Sequence, residues 1–182
     1  NALNGKLYWS LNATGTSSSH DSDFFKSSDV VISGEDIILS TSSSIFSFNL
    51  YSGYLNWSKN ISSRSAPIIN GKYIFLVTED GYFVNLDKNS GKIIWSTNIL
   101  KTLKKSWKLF LEKKHITRIT GFIMGSGKIY ATTFNGYVIV CSATSGKVEY
   151  FKRISVSNTS RPIISNDKLF VITKKSRILG FN

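Results

Sequence analysis

Residues able to do chemistry are few in this chain, and their spacing assembles no familiar catalytic set. His20 sits in a Ser-rich polar stretch and His115 among lysines, and neither has a second His or Cys at metal-ligand spacing, so no zinc site is expected. The 11 carboxylates include two adjacent pairs, Glu35-Asp36 and Glu79-Asp80, both at expected turns. Neighbours on an extended chain point to opposite faces, which works against a shared acid/base site, and solvated turn carboxylates are the plainer reading. Gly125-Ser126-Gly127 precedes an expected strand rather than a helix, so it does not read as a phosphate loop. The single cysteine, Cys141, lies beside Val138, Ile139 and Val140; it can form no internal disulfide and reads as a small buried core thiol. No catalytic, cofactor-binding or metal-ligating residues are therefore assigned.

Charge is the remaining chemical feature. The net charge is +12, and the segment Lys101 to Arg118 carries seven basic residues against the single Glu112. As a helix it would place Leu100, Leu103, Trp107, Phe110 and Leu111 on one side, with Lys104 and Lys114 intruding. Three readings stand: a solvated loop or short helix over a rim, a docking element for a protein partner or an anionic membrane surface, and a nucleic-acid contact. The second would use Lys104, Lys105, Trp107, Lys108, Lys113 and Lys114. The third comes last, because no recognised nucleic-acid module is present and the rest of the chain adds little charge density; no nucleic-acid partner is expected. No stretch of about 18 apolar residues exists to span a membrane, and no signal peptide or lipidation signal is present. The sequons at Asn12, Asn56, Asn60 and Asn158 are what an Asn- and Ser-rich chain generates by chance.

The basic segment interrupts a repeat. Asn/Asp, three residues, Gly, three residues, aromatic occurs as Asn1, Gly5, Trp9; as Asn49, Gly53, Trp57; as Asp87, Gly91, Trp95; and as Ser142, Gly146, Tyr150. The glycines step by 48, 38 and 55 residues, the last stretched by the insertion at 100–118, and the half-unit Lys168 to Asn182 follows. A period of about 40 to 50 residues is that of a four-stranded propeller blade. The third copy shows four strand candidates: Ala66 to Ile69, Tyr73 to Val77, Tyr82 to Leu86 and Ile93 to Ser96. They are separated by Asn70-Gly71, Asp80-Gly81 and Asn89-Ser90-Gly91 turns. Equivalent candidates in the second copy are Val30 to Ile32, Ile37 to Leu39, Ile45 to Phe48 and Tyr54 to Trp57. In the fourth they are Phe122 to Met124, Lys128 to Thr132, Tyr137 to Cys141 and Val148 to Phe151.

The expectation is an all-β propeller segment of four-stranded antiparallel blades, one domain over 1–182, with units at about 1–48, 49–86, 87–141 and 142–182. Chain start and chain end share one phase, which predicts a lone outer strand at the N-terminus and a C-terminal blade lacking that strand. In a closed ring the two ends would complete one blade together; the same phase arises in four blades of a larger ring, which the lack of an initiating Met favours. Trp9, Trp57 and Trp95 should fill the gaps between neighbouring sheets with their N–H groups bonded, and each preceding glycine should be a backbone requirement.

Asn85, Asp87, Ser90, Gly91, Lys92 and Trp95 are similar to the tryptophan-docking pattern Ala-x-Asp-x-x-Thr-Gly-x-x-x-Trp of quinoprotein-type propellers, with Asn85 and Ser90 departing from the Ala and the Thr. The resemblance runs over essentially the whole chain, though the second copy is looser and the fourth lacks both the Asp and the Trp. Two families carry it. Pyrroloquinoline-quinone dehydrogenases would bring an adjacent-cysteine disulfide, a calcium site and a catalytic aspartate; one cysteine excludes that disulfide within this segment, and no carboxylate maps to the other roles. The second family is the non-enzymatic BamB-type outer-membrane assembly lipoproteins, and RPIISNDKLFVITKKSRILGFN resembles the C-terminal half of such a ring. That resemblance implies eight blades, export to the periplasm, a lipid anchor, outer-membrane association and binding to the β-barrel assembly machinery as a non-catalytic protein–protein scaffold. A fragment of a quinone-dependent dehydrogenase is the alternative, and a luminal sensor on the same repeat a third class.

Overall fold

The computed structural model describes residues 3–10, 28–41, 43–63, 65–78, 80–99, 101, 118–156 and 159–182. Among the described residues, fifteen strands form four antiparallel sheets, each a meander in chain order. The first contains β1 (Val31–Ser33), β2 (Asp36–Ser40), β3 (Ile45–Asn49) and β4 (Leu55–Lys59); the second contains β5 (Ile68–Asn70), β6 (Tyr73–Val77), β7 (Tyr82–Asp87) and β8 (Ile93–Asn98). The third contains β9 (Ile119–Gly125), β10 (Lys128–Thr133), β11 (Tyr137–Ser142) and β12 (Val148–Arg153). The fourth has three strands, β13 (Ile163–Ser165), β14 (Lys168–Ile172) and β15 (Ile178–Phe181). These are propeller blades, and the all-β architecture is the one the repeat implies.

Middle strands here are largely apolar on both faces because both are covered, with Ser47 and Asn85 as buried polar exceptions. In β6, Ile74 and Leu76 point to one side and join Ile38, Ile45 and Trp57 of the first sheet. Phe75 and Val77 point to the other and join Phe122, Ile129, Tyr137 and Ile139 of the third. The third sheet alternates likewise, with Val138 and Val140 meeting Leu169 and Val171 of the fourth. The core is thus three slabs between blades, with no common centre. Outer strands bury far less: in β4 only Trp57 is buried.

Each four-stranded sheet takes its outermost strand from the sequence unit that follows, since β4, β8 and β12 lie beyond Asn49, Asp87 and Ser142. One expectation fails. The outer strand foreseen around Trp9 is not a strand, because among the described residues nothing forms a ladder with residues 5–10. A strand exists only where a neighbouring edge takes its N–H and C=O groups.

Candidate functional site

The recurring turn is built from side-chain oxygens. In the second blade Asp87 Oδ1 accepts from the Ser90 backbone N–H at 2.8 Å and from Ser90 Oγ at 2.7 Å, while Gly91 N–H donates to the Asp87 carbonyl at 2.8 Å. These bonds stabilise the ionised carboxylate, so Asp87 is held below the usual carboxylate range, the Ser90 hydroxyl being the largest cause. Asn49 plays the same part in the first blade, accepting from Tyr51 and Ser52 N–H at 3.0 and 2.9 Å. At the N-terminus the Lys6 N–H donates to Asn4 Oδ1 at 3.0 Å, where Lys92 and Lys147 donate to serine hydroxyls at 3.4 Å. Asn1 itself lies outside the described residues.

Two positions before each aromatic residue the strand pairs normally, and one position before it the ladder skips. Asn85 pairs with Trp95 and Leu86 with Ile93, leaving Ile94 bulged; Asn56 and Glu149 are bulged equivalently beside Trp57 and Tyr150. A bulge rotates the residue that follows, here swinging the ring out of its own sheet toward the next. Trp57 Nε1 donates to the Lys88 carbonyl at 2.8 Å and Trp95 Nε1 to the Ala143 carbonyl at 3.2 Å, and Trp9 Nε1, outside any strand, donates likewise to the Leu50 carbonyl at 3.0 Å. Each indole lies against the next blade's turn glycine, Gly53, Gly91 or Gly146. A second bond spans the first two blades: Lys88 Nζ pairs with Asp36 Oδ2 at 2.7 Å. Tyr150 differs, being 54% exposed on the wall of a cleft of about 430 Å³ between the third and fourth sheets that Tyr130, Ile164 and Phe181 also line.

Other sequence candidates are dispersed. Asp36 is in the ion pair just described and also accepts from Asn56 Nδ2 at 3.1 Å. Asp80 stands in the exposed β6–β7 turn. Cys141 is fully buried, and burial, with Glu149 as the smaller cause, pushes its thiol up to about 12. Ser126-Gly127 is simply the β9–β10 turn. Among the described residues no cluster of His, Cys, Asp and Glu could hold a metal ion. His20, His115, Glu79, Glu112, Asn12, Asn158 and the insertion residues Lys104, Lys105, Trp107, Lys108, Lys113 and Lys114 lie outside the described residues.

The insertion's two ends are nonetheless placed. Ile99 N–H donates to the Gly81 carbonyl at 2.9 Å, and the Arg118 carbonyl accepts from Phe134 N–H at 2.8 Å. Both anchors belong to the rim that carries the β6–β7, β10–β11 and β14–β15 turns, opposite the rim of the indole turns. On this same rim a cleft of about 380 Å³ opens between the third and fourth sheets, lined by Arg153, Lys175, Arg177, Ile154, Val156 and Leu179 among others. Sequence reasoning missed it. The available signal was Lys174-Lys175-Ser176-Arg177, a basic run at a hairpin turn, whose meeting with Arg153 depends on blade packing.

The family model described as "Outer membrane protein assembly factor BamB" matches residues 1–97. The outer membrane protein assembly factor BamB of Yersinia pestis is 22% identical over 142 residues, covering 74% of this chain and 35% of that protein, so the chain spans about a third of its curated relative. Among solved structures, BamB from Moraxella catarrhalis superposes with a TM-score of 0.64 at 11% identity, over 83% of this chain and 41% of that one. The computationally designed Ika8 protein gives 0.66 at 11% identity, over 84% of this chain and 44% of that one. The designed Ika4 protein gives the same score and identity, over 84% and 88%. At such identities the structural likeness shows a shared fold.

Proposed function

The chain belongs to the family described as outer membrane protein assembly factor BamB, and from that membership we propose that it is a non-catalytic propeller scaffold for outer-membrane β-barrel protein assembly, working on the periplasmic side of the outer membrane as part of a larger, eight-bladed ring. It presents rim loops to protein partners of the assembly machinery. The observation that carries this reading is the series of indole latches: Trp9, Trp57 and Trp95 each fix the next blade's turn through one hydrogen bond and one glycine contact. Rigidly held blades keep rim loops in fixed relative positions, which lowers the ordering cost of binding. The reactive groups that the repeat contains serve this framework, Asp87 in its turn and Asp36 in its inter-blade pair.

The basic insertion is the scaffold's partner-contacting element in this reading. Replacing Lys104, Lys105, Lys108, Lys113 and Lys114 by Ser should leave folding intact and weaken binding to partner or anionic surface at low ionic strength. Unaltered binding at low salt would reduce the insertion to a covering loop.

The scaffold reading is tested by copurification of the full chain with the assembly machinery from its source cell. A second arm adds pyrroloquinoline quinone and calcium to the purified protein; tight stoichiometric quinone uptake would overturn the scaffold reading in favour of a quinone dehydrogenase.

A further inference from the structure

We propose that the rim cleft between the third and fourth blades is a docking site for an acidic, partly apolar polypeptide segment of a partner protein. The inference rests on the scaffold reading and assigns it a second contact surface, apart from the insertion.

Three cations line the cleft, Arg153, Lys175 and Arg177, and no carboxylate does. The two acids of the neighbouring strands and turns are directed elsewhere. Glu149 pairs with Lys128 at 3.1 Å, and Asp167 stands in the β13–β14 turn at the opposite rim. Among the described residues neither Lys175 nor Arg177 has an acidic partner within ion-pair distance. Like charges gathered without counter-charge raise a local positive potential, and a low-dielectric wall focuses it.

Arg153 is posed rather than loose. Its guanidinium carbon lies 5.7 Å from the centroid of the Tyr137 ring, and its Nε donates to the Ser155 carbonyl at 3.2 Å. These two contacts fix the plane of the fork, so less rotamer entropy is lost when its terminal nitrogens take a carboxylate. Lys175 stands on the β14–β15 turn, shaped by Ser176 at φ 56°, and Arg177 follows at the mouth of β15.

The apolar walls select the class of ligand. Ile154, Val156 and Leu179 line the same space, and Val156 is 77% exposed. A free inorganic anion gains nothing from such walls. Single-stranded nucleic acid needs aromatic platforms for its bases, and the cleft lining includes none. A lipid surface favours a projecting basic or amphipathic face over a recess. An acidic peptide satisfies both halves, its carboxylates on the cations and its intervening apolar side chains in the recess.

The test uses the full chain and a dye-labelled peptide alternating Glu with Leu, followed by fluorescence anisotropy at low ionic strength. Binding is expected, falling steeply with added salt and falling about tenfold in the Lys175→Ser/Arg177→Ser double variant. The same peptide with Gln for Glu should bind at least about tenfold more weakly. An unchanged thermal midpoint in the variant keeps the comparison free of unfolding. Equal binding by the variant overturns the proposal, as does equal binding of the Gln peptide. Stronger displacement of the label by anionic phospholipid vesicles or a single-stranded oligonucleotide than by unlabelled acidic peptide also overturns it. Because only purified chain and peptide are involved, failure here removes the cleft and leaves the scaffold reading to its copurification test. Failed copurification with intact peptide binding does the reverse.

Discussion

Gly91 and Trp57 are in such close contact that a Cβ on the glycine would lie 2.6 Å from both Cδ2 and Cε3 of the indole. Two requirements meet there, since Gly91 also has φ +64°. Gly71 has the second requirement without the first: φ is +57°, and a Cβ would meet open space.

The pair separates backbone strain from inter-blade contact. Gly71→Ala should cost roughly 1–2 kcal/mol, the ordinary penalty of a left-handed non-glycine residue. Gly91→Ala should cost about 2–4 kcal/mol, because the indole must also move and lose its bond to Lys88. Denaturant unfolding measures both; equal losses would mean that the ring contact contributes nothing.

Cys141 should be silent toward thiol reagents at mildly alkaline pH in the native protein and react once denaturant opens the second-to-third blade slab. Its native thiol is pushed to about 12 from an ordinary 9.0. Below pH 9 both states keep the proton; between 9 and 12 the unfolded chain releases it first, so this group makes stability fall as pH rises through that window. Cys141→Ala should flatten that alkaline slope. Rapid labelling of the native chain would contradict the burial.

Asp87 works in the opposite direction. Its native carboxyl titrates below the ordinary 3.8 because Ser90 bonds the ionised form. The contribution is present above the unfolded value and is lost as acid carries the pH down through the native one. Ser90→Ala should move the NMR titration midpoint of Asp87 upward toward 3.8; a midpoint that stays put would assign the depression to another neighbour.

Asn85 is 3% exposed, and its Oδ1 has no hydrogen-bond partner among the described residues. Asn85→Ala removes packing and an unsatisfied acceptor together, so the net change should stay within about 1 kcal/mol. Phe83→Ala, with only packing to lose, should cost about 3–5 kcal/mol. A loss at Asn85 as large as at Phe83 would reveal a bonding role for the amide.

Strands were readable because their causes are local. Tyr73 to Val77 is β-branched and aromatic, closed by Asn-Gly before and Asp-Gly after, and β6 has those bounds. Cross-blade facts were hidden for the opposite reason. Trp95 bonds a carbonyl 48 residues away, and nothing near either residue states the distance at which blades pack. Tyr150 shares its sequence slot with Trp57 and Trp95, yet it remains half exposed in a cleft, a difference of surroundings that no alignment of the repeat contains. The basic cleft was illegible likewise, because Arg153 and Lys175 belong to different sheets.

Staggering between sequence unit and sheet bears on how such a chain can change length. A crossover joining two copies at equivalent points removes or adds one period, and each sheet followed by another copy still receives its fourth strand from whichever copy now comes next. Growth and loss therefore proceed in whole blades, with the indole at each new junction meeting the turn glycine of whichever blade now follows.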